Sequence, residues 1–189
     1  EDGRLIGYNS DGFGCVRSLE EQCGLTIPDH RYLILGAGGA ASAVSAALAR
    51  QGAKDIKILN IKDDFAIAEK LQRRLEMFYP GCSSIDYMND CTIKSSLGDY
   101  DVVIHATKIG MFPMTDAVLF NTRWLLPEHT VCDVVYVPVE TKLLKEAKER
   151  GCTTLSGLWM NVNVAAEQMR LWFGISAPTD FMYLAGTDY

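Results

Sequence analysis

The run Tyr32-Leu33-Ile34-Leu35-Gly36-Ala37-Gly38-Gly39-Ala40-Ala41 constrains the fold more than any other part of the chain. Four apolar residues stop at a glycine, as in a strand buried on both faces of a parallel sheet. The glycines then fit G-x-G-x-x-A, and an alanine-rich helix is predicted from about Ala40 to Arg50. Strand, glycine turn and helix in that order form the context in which such a loop holds a pyrophosphate. Gly36 permits the tight turn, Gly38 lets the backbone approach the phosphates, and small Ala41 lets the helix pack close to the sheet. The helix N-terminus adds free N–H groups and the positive end of a dipole. Gly36, Ala37, Gly38, Gly39 and Ala40 are therefore candidate dinucleotide contacts. A glycine-rich turn with no ligand and a methyltransferase loop are the competing readings.

The rest of the chain repeats the alternation. Ile56-Lys57-Ile58-Leu59 reads as a second strand and residues 64–78 as a helix ended by Pro80-Gly81. Ser84 to Met88, Val102 to Ile104, Val131 to Val137 and Thr153 to Leu155 read as four more strands. Residues 12–24, 139–150 and 158–173 read as helices. The expected fold class is α/β: a Rossmann-like doubly wound parallel sheet of about six strands with helices on both faces. Residues 1–175 are read as one dinucleotide-binding domain, with 1–24 as a hinge region and its helix. Residues 176–189 are a tail, either a short helix or a loose end. The longest irregular piece, 106–128, follows a strand, and ligands of such sheets bind at strand carboxyl ends.

Composition narrows the partners. A net charge of −6 argues against general nucleic-acid binding. No apolar run reaches membrane-spanning length. The six cysteines form no CxxC pair and the three histidines are scattered, so no metal site is expected. The cysteines read as small buried hydrophobes of a reducing compartment, the cytoplasm.

Two further stretches carry polar groups at informative places. Gly7-Tyr8-Asn9-Ser10-Asp11-Gly12-Phe13-Gly14 packs three glycines around one carboxylate. Asp11 there is either a turn residue capping the next helix or a group held for chemistry. Asn60-Ile61-Lys62-Asp63 ends the second strand, where an adenine ribose would lie. A carboxylate at that tip accepts hydrogen bonds from the ribose hydroxyls, and a cation favours a 2′-phosphate instead. Asp63 and Lys62 pull in opposite directions, and Asp63 also reads as the N-cap of the helix at 64–78.

With these pieces in hand, the chain resembles the shikimate/quinate dehydrogenase family from residue 1 to about residue 175. Gly7 to Gly14 is similar to its G-x-N-T-D-x-x-G, with Ser10 for threonine. Gly36 to Ala41 resembles its phosphate loop. His105-Ala106-Thr107-Lys108-Ile109-Gly110-Met111 is similar to N-x-T-x-x-G-M. Val135-Tyr136-Val137-Pro138, with Thr141 and Leu143-Leu144, resembles Y-N-P-x-x-T-x-L-L. Gly157-Leu158-Trp159-Met160, with Ala165-Ala166-Glu167-Gln168 and Leu171-Trp172, resembles the closing G-x-x-M…A-E-Q-F-x-L-W.

The resemblance implies hydride transfer between NAD(P) and a ring hydroxyl of a cyclic hydroxy acid such as shikimate or quinate. It makes Asp11 the catalytic partner of a lysine at the substrate hydroxyls. That lysine belongs to a substrate domain preceding the motif. The expectation is therefore a cofactor domain of a longer protein, one that binds dinucleotide and does not turn over alone. A module that binds dinucleotide without a reaction is the alternative. The resemblance further implies cofactor contacts from Asn60, Ile61, Lys62, Asp63, Ala106, Thr107, Lys108, Val134, Val135, Tyr136, Gly157 and Met160. Tyr136 and Gln168, with Asp11, are expected at the substrate; a homodimer is left open.

Three positions depart from the family pattern. Ile61 stands where NADP-specific members carry arginine, and Asp63 matches members of broader use, so NAD is favoured over NADP. Val164 stands where the family has a substrate-binding glutamine, a loss typically worth about 1–3 kcal/mol. Gln168, one turn further on the same face, and Asn161, three residues before, are read either as compensating groups or as ordinary polar helix residues. Val137 replaces the asparagine after Tyr136. The three tryptophans, Trp124, Trp159 and Trp172, read as packing.

Overall fold

Strand β1 (Tyr32–Leu35) is buried along its whole length, because its side chains alternate between two apolar layers rather than between core and water. In this computed structural model, which describes residues 3–187, Tyr32 and Ile34 enter one layer and Leu33 and Leu35 the other. Each such leucine or isoleucine contributes roughly 1.5–3 kcal/mol by leaving water. The partners of β1 are β2 (Ile56–Asn60) on one side and β4 (Val102–His105) on the other, both parallel to it. With β3 (Ser83–Tyr87), β5 (Thr130–Asp133) and β6 (Thr153–Leu155) they make a six-stranded parallel sheet of order β3-β2-β1-β4-β5-β6.

The helices cover both faces. The layer under Tyr32 and Ile34 takes residues from α1 (Asp11–Cys23), α2 (Gly39–Arg50), α3 (Phe65–Phe78) and α6 (Gly157–Phe173). The layer under Leu33 and Leu35 takes them from α4 (Asp90–Leu97) and α5 (Lys142–Glu149). Helix α7 (Thr179–Thr187) lies on α6, with Tyr183 stacked on Trp159 at 4.0 Å between ring centroids. It resolves the unassigned tail into a short helix.

Several boundaries move for local reasons. Strand β5 stops at Asp133, not at Val137, because the Asp133 carboxylate accepts the Val135 N–H at 3.0 Å and turns the chain away from the ladder. Helix α5 starts at Lys142, not at 139, because the Thr141 hydroxyl accepts from the Leu144 N–H as its cap. Helix α4 was not expected; Asn89 opens it by accepting the Thr92 N–H at 3.0 Å. Asp11 is not the cap of α1. Ser10 holds that position, and Asn9 Oδ1 accepts the Gly12 N–H at 3.2 Å. Asp63 is likewise not the cap of α3: it lies in the short 3-10 turn Lys62–Asp64, and Asp64 precedes the helix.

Trp172 does not pack into the core. It is 68% exposed, edge-on to Phe173. Cys15, Cys82, Cys132 and Cys152 are buried small hydrophobes, while Cys91 is exposed; all six cysteines are free thiols. No helix among the described residues is long and apolar enough to cross a membrane.

Candidate dinucleotide and substrate cleft

The strand order places β1 beside β4, where the sheet changes winding direction, and a crevice opens outside the carboxyl ends of these strands. The loop Gly36–Gly38 leaves β1 there. Gly36 takes φ 111°, and a Cβ on it would lie 2.7 Å from the Ala106 carbonyl oxygen. Only glycine fits that turn. Gly38 and Gly39 differ: a Cβ on either would meet nothing within 4 Å. The chain itself does not need glycine there for packing. Their bare backbone faces open space at the N-terminus of α2, whose first turn has no side-chain cap. Free N–H groups, a helix dipole and no Cβ in the way are what a pyrophosphate requires. The residues present thus fit a dinucleotide.

The tip of β2 lies beside this loop. Gly36 N–H donates to the Leu59 carbonyl at 2.8 Å. Asn60 is buried, and its Nδ2 donates to the Asp64 carbonyl at 2.8 Å, which fixes the tip. Ile61, Lys62 and Asp63 are all exposed on it.

The opposite wall comes from β4, β5 and α6. Ala106 and Thr107 follow β4 and are half-buried, while Lys108 is exposed. Val134 and Val135 follow β5, with Val135 buried and Tyr136 and Val137 exposed at 48% and 59%. Gly157 begins α6 against this turn. A Cβ there would lie 2.6 Å from both the Val134 and Val135 carbonyl oxygens. Met160 is buried in the core layer, one turn further along α6.

Asp11 sits exposed in the first turn of α1. It makes no hydrogen bond or ion pair among the described residues. Two side-chain-free positions bring α1 in close. Gly12 rests on the Ala43 backbone of α2, and a Cβ on Gly14 would lie 2.6 Å from Val164 Cγ2 of α6. Gln168 Nε2 donates to Ser10 Oγ at 3.1 Å, so α6 reaches the residue next to Asp11. Beside it, Arg170 donates to both oxygens of Glu167, at 2.7 and 2.6 Å, and holds that carboxyl below the usual range.

The fold and these walls have close counterparts. The shikimate dehydrogenase (NADP(+)) of Alkaliphilus oremlandii is 36% identical over 184 residues, which are 96% of this chain and 63% of that protein. The crystal structure of shikimate 5-dehydrogenase from Listeria monocytogenes, in complex with shikimate and NAD, matches at TM-score 0.90 and 34% identity, over 98% of this chain and 65% of that one. This chain belongs to the shikimate/quinate dehydrogenase family. No family model matches the chain. The ligand-free 5-ketofructose reductase of a Gluconobacter strain matches at TM-score 0.87 and 32% identity, over 100% of this chain and 66% of that one. The chain therefore spans about two thirds of the length of its solved relatives and 63% of the curated one. Within them it corresponds to the cofactor-binding part of a shikimate/quinate dehydrogenase-like oxidoreductase.

Sequence reading missed one buried cluster behind the wall. His105 and Asp133 face each other at 2.9 Å, and both are essentially inaccessible. In the sequence His105 is only the first residue of the stretch similar to N-x-T-x-x-G-M. A polar pair at the ends of adjacent strands becomes visible only once the register pairs them. Among the described residues no three His, Cys, Asp or Glu side chains group as a metal site.

Proposed function

We propose that this chain supplies the dinucleotide site of an enzyme that transfers a hydride between NAD(P) and a ring hydroxyl of shikimate, quinate or a related cyclic hydroxy acid. The observation that carries this reading is the open backbone at Gly38 and Gly39, set at a helix start with no side-chain cap. A bound nicotinamide supplies the hydride acceptor or donor. The protein's own groups do the rest. Gly36 to Ala40 hold the phosphates, and Asn60 to Asp63 meet the ribose. Ala106 to Lys108, Val134 to Tyr136, Gly157 and Met160 form the nicotinamide side. Asp11 orients the substrate hydroxyl and accepts from it while a lysine outside this chain shares the proton. Tyr136 and Gln168 complete the substrate side. Residues 1–175 act as one dinucleotide-binding unit, and residues 176–189 are its C-terminal tail.

NAD is the favoured cofactor. Ile61 is 45% exposed at the tip of β2 and offers no guanidinium to a 2′-phosphate, while Asp63 beside it is a carboxylate in the open. The curated relative carries NADP(+) in its name and the solved relative was crystallised with NAD, so the choice rests on these side chains.

The test is nicotinamide reduction by the full-length gene product with shikimate and with quinate, each with NAD and with NADP. Turnover in an NAD pairing supports the reading, and turnover only with NADP overturns the cofactor preference. Dinucleotide binding without turnover in all four pairings overturns the substrate class. Attention then falls on Val164 and Val137, which leave the substrate side less polar.

A further inference from the structure

The His105–Asp133 pair uses every polar atom it has. Asp133 Oδ1 accepts from His105 Nδ1 at 2.9 Å and from the Val135 N–H at 3.0 Å. Its Oδ2 accepts from the Thr141 hydroxyl at 2.7 Å. On the other side of the ring, His105 Nε2 and Thr107 Oγ1 are 2.7 Å apart, and Thr107 Oγ1 also accepts from the Ile109 N–H at 3.2 Å. The carboxylate can only accept, so Nδ1 carries the ring hydrogen. Among the described residues the Thr107 hydroxyl has no other acceptor than Nε2, so it donates to Nε2 while receiving the Ile109 N–H. Every bond in the chain has one donor and one acceptor in this form.

This chain of bonds ties Thr107 and Ile109 after β4, Val135 after β5, and Thr141, the cap of α5, beyond the last ladder-like bonds, which Ala106 and Val134 donate to the Leu35 and His105 carbonyls. The segments after β4 and β5 are the wall assigned to the nicotinamide side. The hydroxyl of Thr107 is drawn inward to His105, and its methyl is turned toward the phosphate loop, where Cγ2 lies 3.1 Å from a Cβ built on Gly36. His105 is 1% exposed, so it cannot touch a ligand.

We propose that the buried His105–Asp133 pair is a positioning device for the dinucleotide wall, with His105 donating from Nδ1 to Asp133 and accepting at Nε2 from Thr107. The proposal rests on the dinucleotide reading above. It adds His105, Asp133 and Thr141 as residues that set the geometry of that site without contacting its ligand. His105→Asn keeps a donor for Asp133 but is too short to reach Thr107. Thr107→Val keeps the shape and removes the hydroxyl.

The experiment measures NAD and NADP binding by calorimetry for the wild type and both variants, with circular dichroism for folding and 15N NMR of the histidine ring nitrogens. The expected result is a hydrogen on Nδ1 and none on Nε2 in the wild type, with an Nε2 resonance displaced in Thr107→Val. Both variants stay folded and bind about fivefold to tenfold more weakly, as loss of one buried bond implies. Unchanged affinity in both folded variants overturns the proposal, and so does a ring protonated on Nε2. A wild type that binds neither dinucleotide defeats the cofactor reading instead, and the proposal with it; that failure shows in the wild type alone.

Discussion

Gln168 and Ser10 are 158 positions apart and joined by a hydrogen bond of 3.1 Å, which fastens α6 to the first turn of α1 beside Asp11. Both side chains are half-buried, so neither is free to find water in the same geometry. Gln168→Ala is expected to destabilise the chain by about 0.5–1.5 kcal/mol in chemical denaturation. Ser10→Ala should cost a similar amount, and the double variant should cost less than the sum. Additive losses would show that the bond contributes nothing.

The glycines of the cleft divide into two kinds. Gly157→Ala drives a methyl into three backbone carbonyls at 2.6–2.7 Å, those of Asp133, Val134 and Val135. It should destabilise by about 1–3 kcal/mol through overpacking, read as a lowered melting temperature. Gly39→Ala meets nothing within 4 Å in a helix, so its stability should hold or rise by up to about 1 kcal/mol. Its dinucleotide affinity should nevertheless fall about tenfold or more, because the new methyl lies where phosphate oxygens approach.

Ile61 stands exposed at the end of β2. Ile61→Arg supplies a planar cation at the place of a 2′-phosphate and should shift the ratio of NADP to NAD affinity upward by about tenfold. Adding Asp63→Ser should push the ratio further. Competitive binding of the two dinucleotides reads both changes.

Thiol reactivity should follow burial. Cys23 is half-buried, and burial pushes its thiol up to about 11, with a smaller contribution from Cys15. The direction is upward, so the reactive thiolate at pH 8 is scarcer than for an ordinary cysteine. Cys91, exposed on α4, should be alkylated first in the folded chain. Mass spectrometry of a short iodoacetamide pulse should find Cys91 labelled and Cys23 nearly untouched. The labelling of Cys23 should rise between pH 8 and pH 11.

The sheet and the phosphate loop were legible because they depend on local pattern. An apolar tetrad, three glycines and an alanine-rich helix specify the βα turn with little help from the rest of the chain. What failed was set by tertiary hydrogen bonds. Val134 to Val137 read as strand because valine favours sheets, yet the Asp133 carboxylate captures the Val135 N–H and ends the ladder. Asn89, which opens α4, is followed by a short helix of mixed polarity whose pattern is weak. In the sequence Gly14 and Gly157 are only members of stretches that resemble family motifs. The structure gives them physical reasons, since each is the point where a helix touches another backbone. The His105–Asp133 pair was illegible because nothing in either local sequence says that residues 28 positions apart share a register.

The most direct test of the central claim is calorimetric titration of the chain with NAD and with NADP, repeated on Gly38→Ala. The predicted result is saturable binding of one dinucleotide per chain, tighter for NAD, and weakened about tenfold or more in a variant that melts as the wild type does. No binding of either dinucleotide, or equal binding by Gly38→Ala, would contradict it.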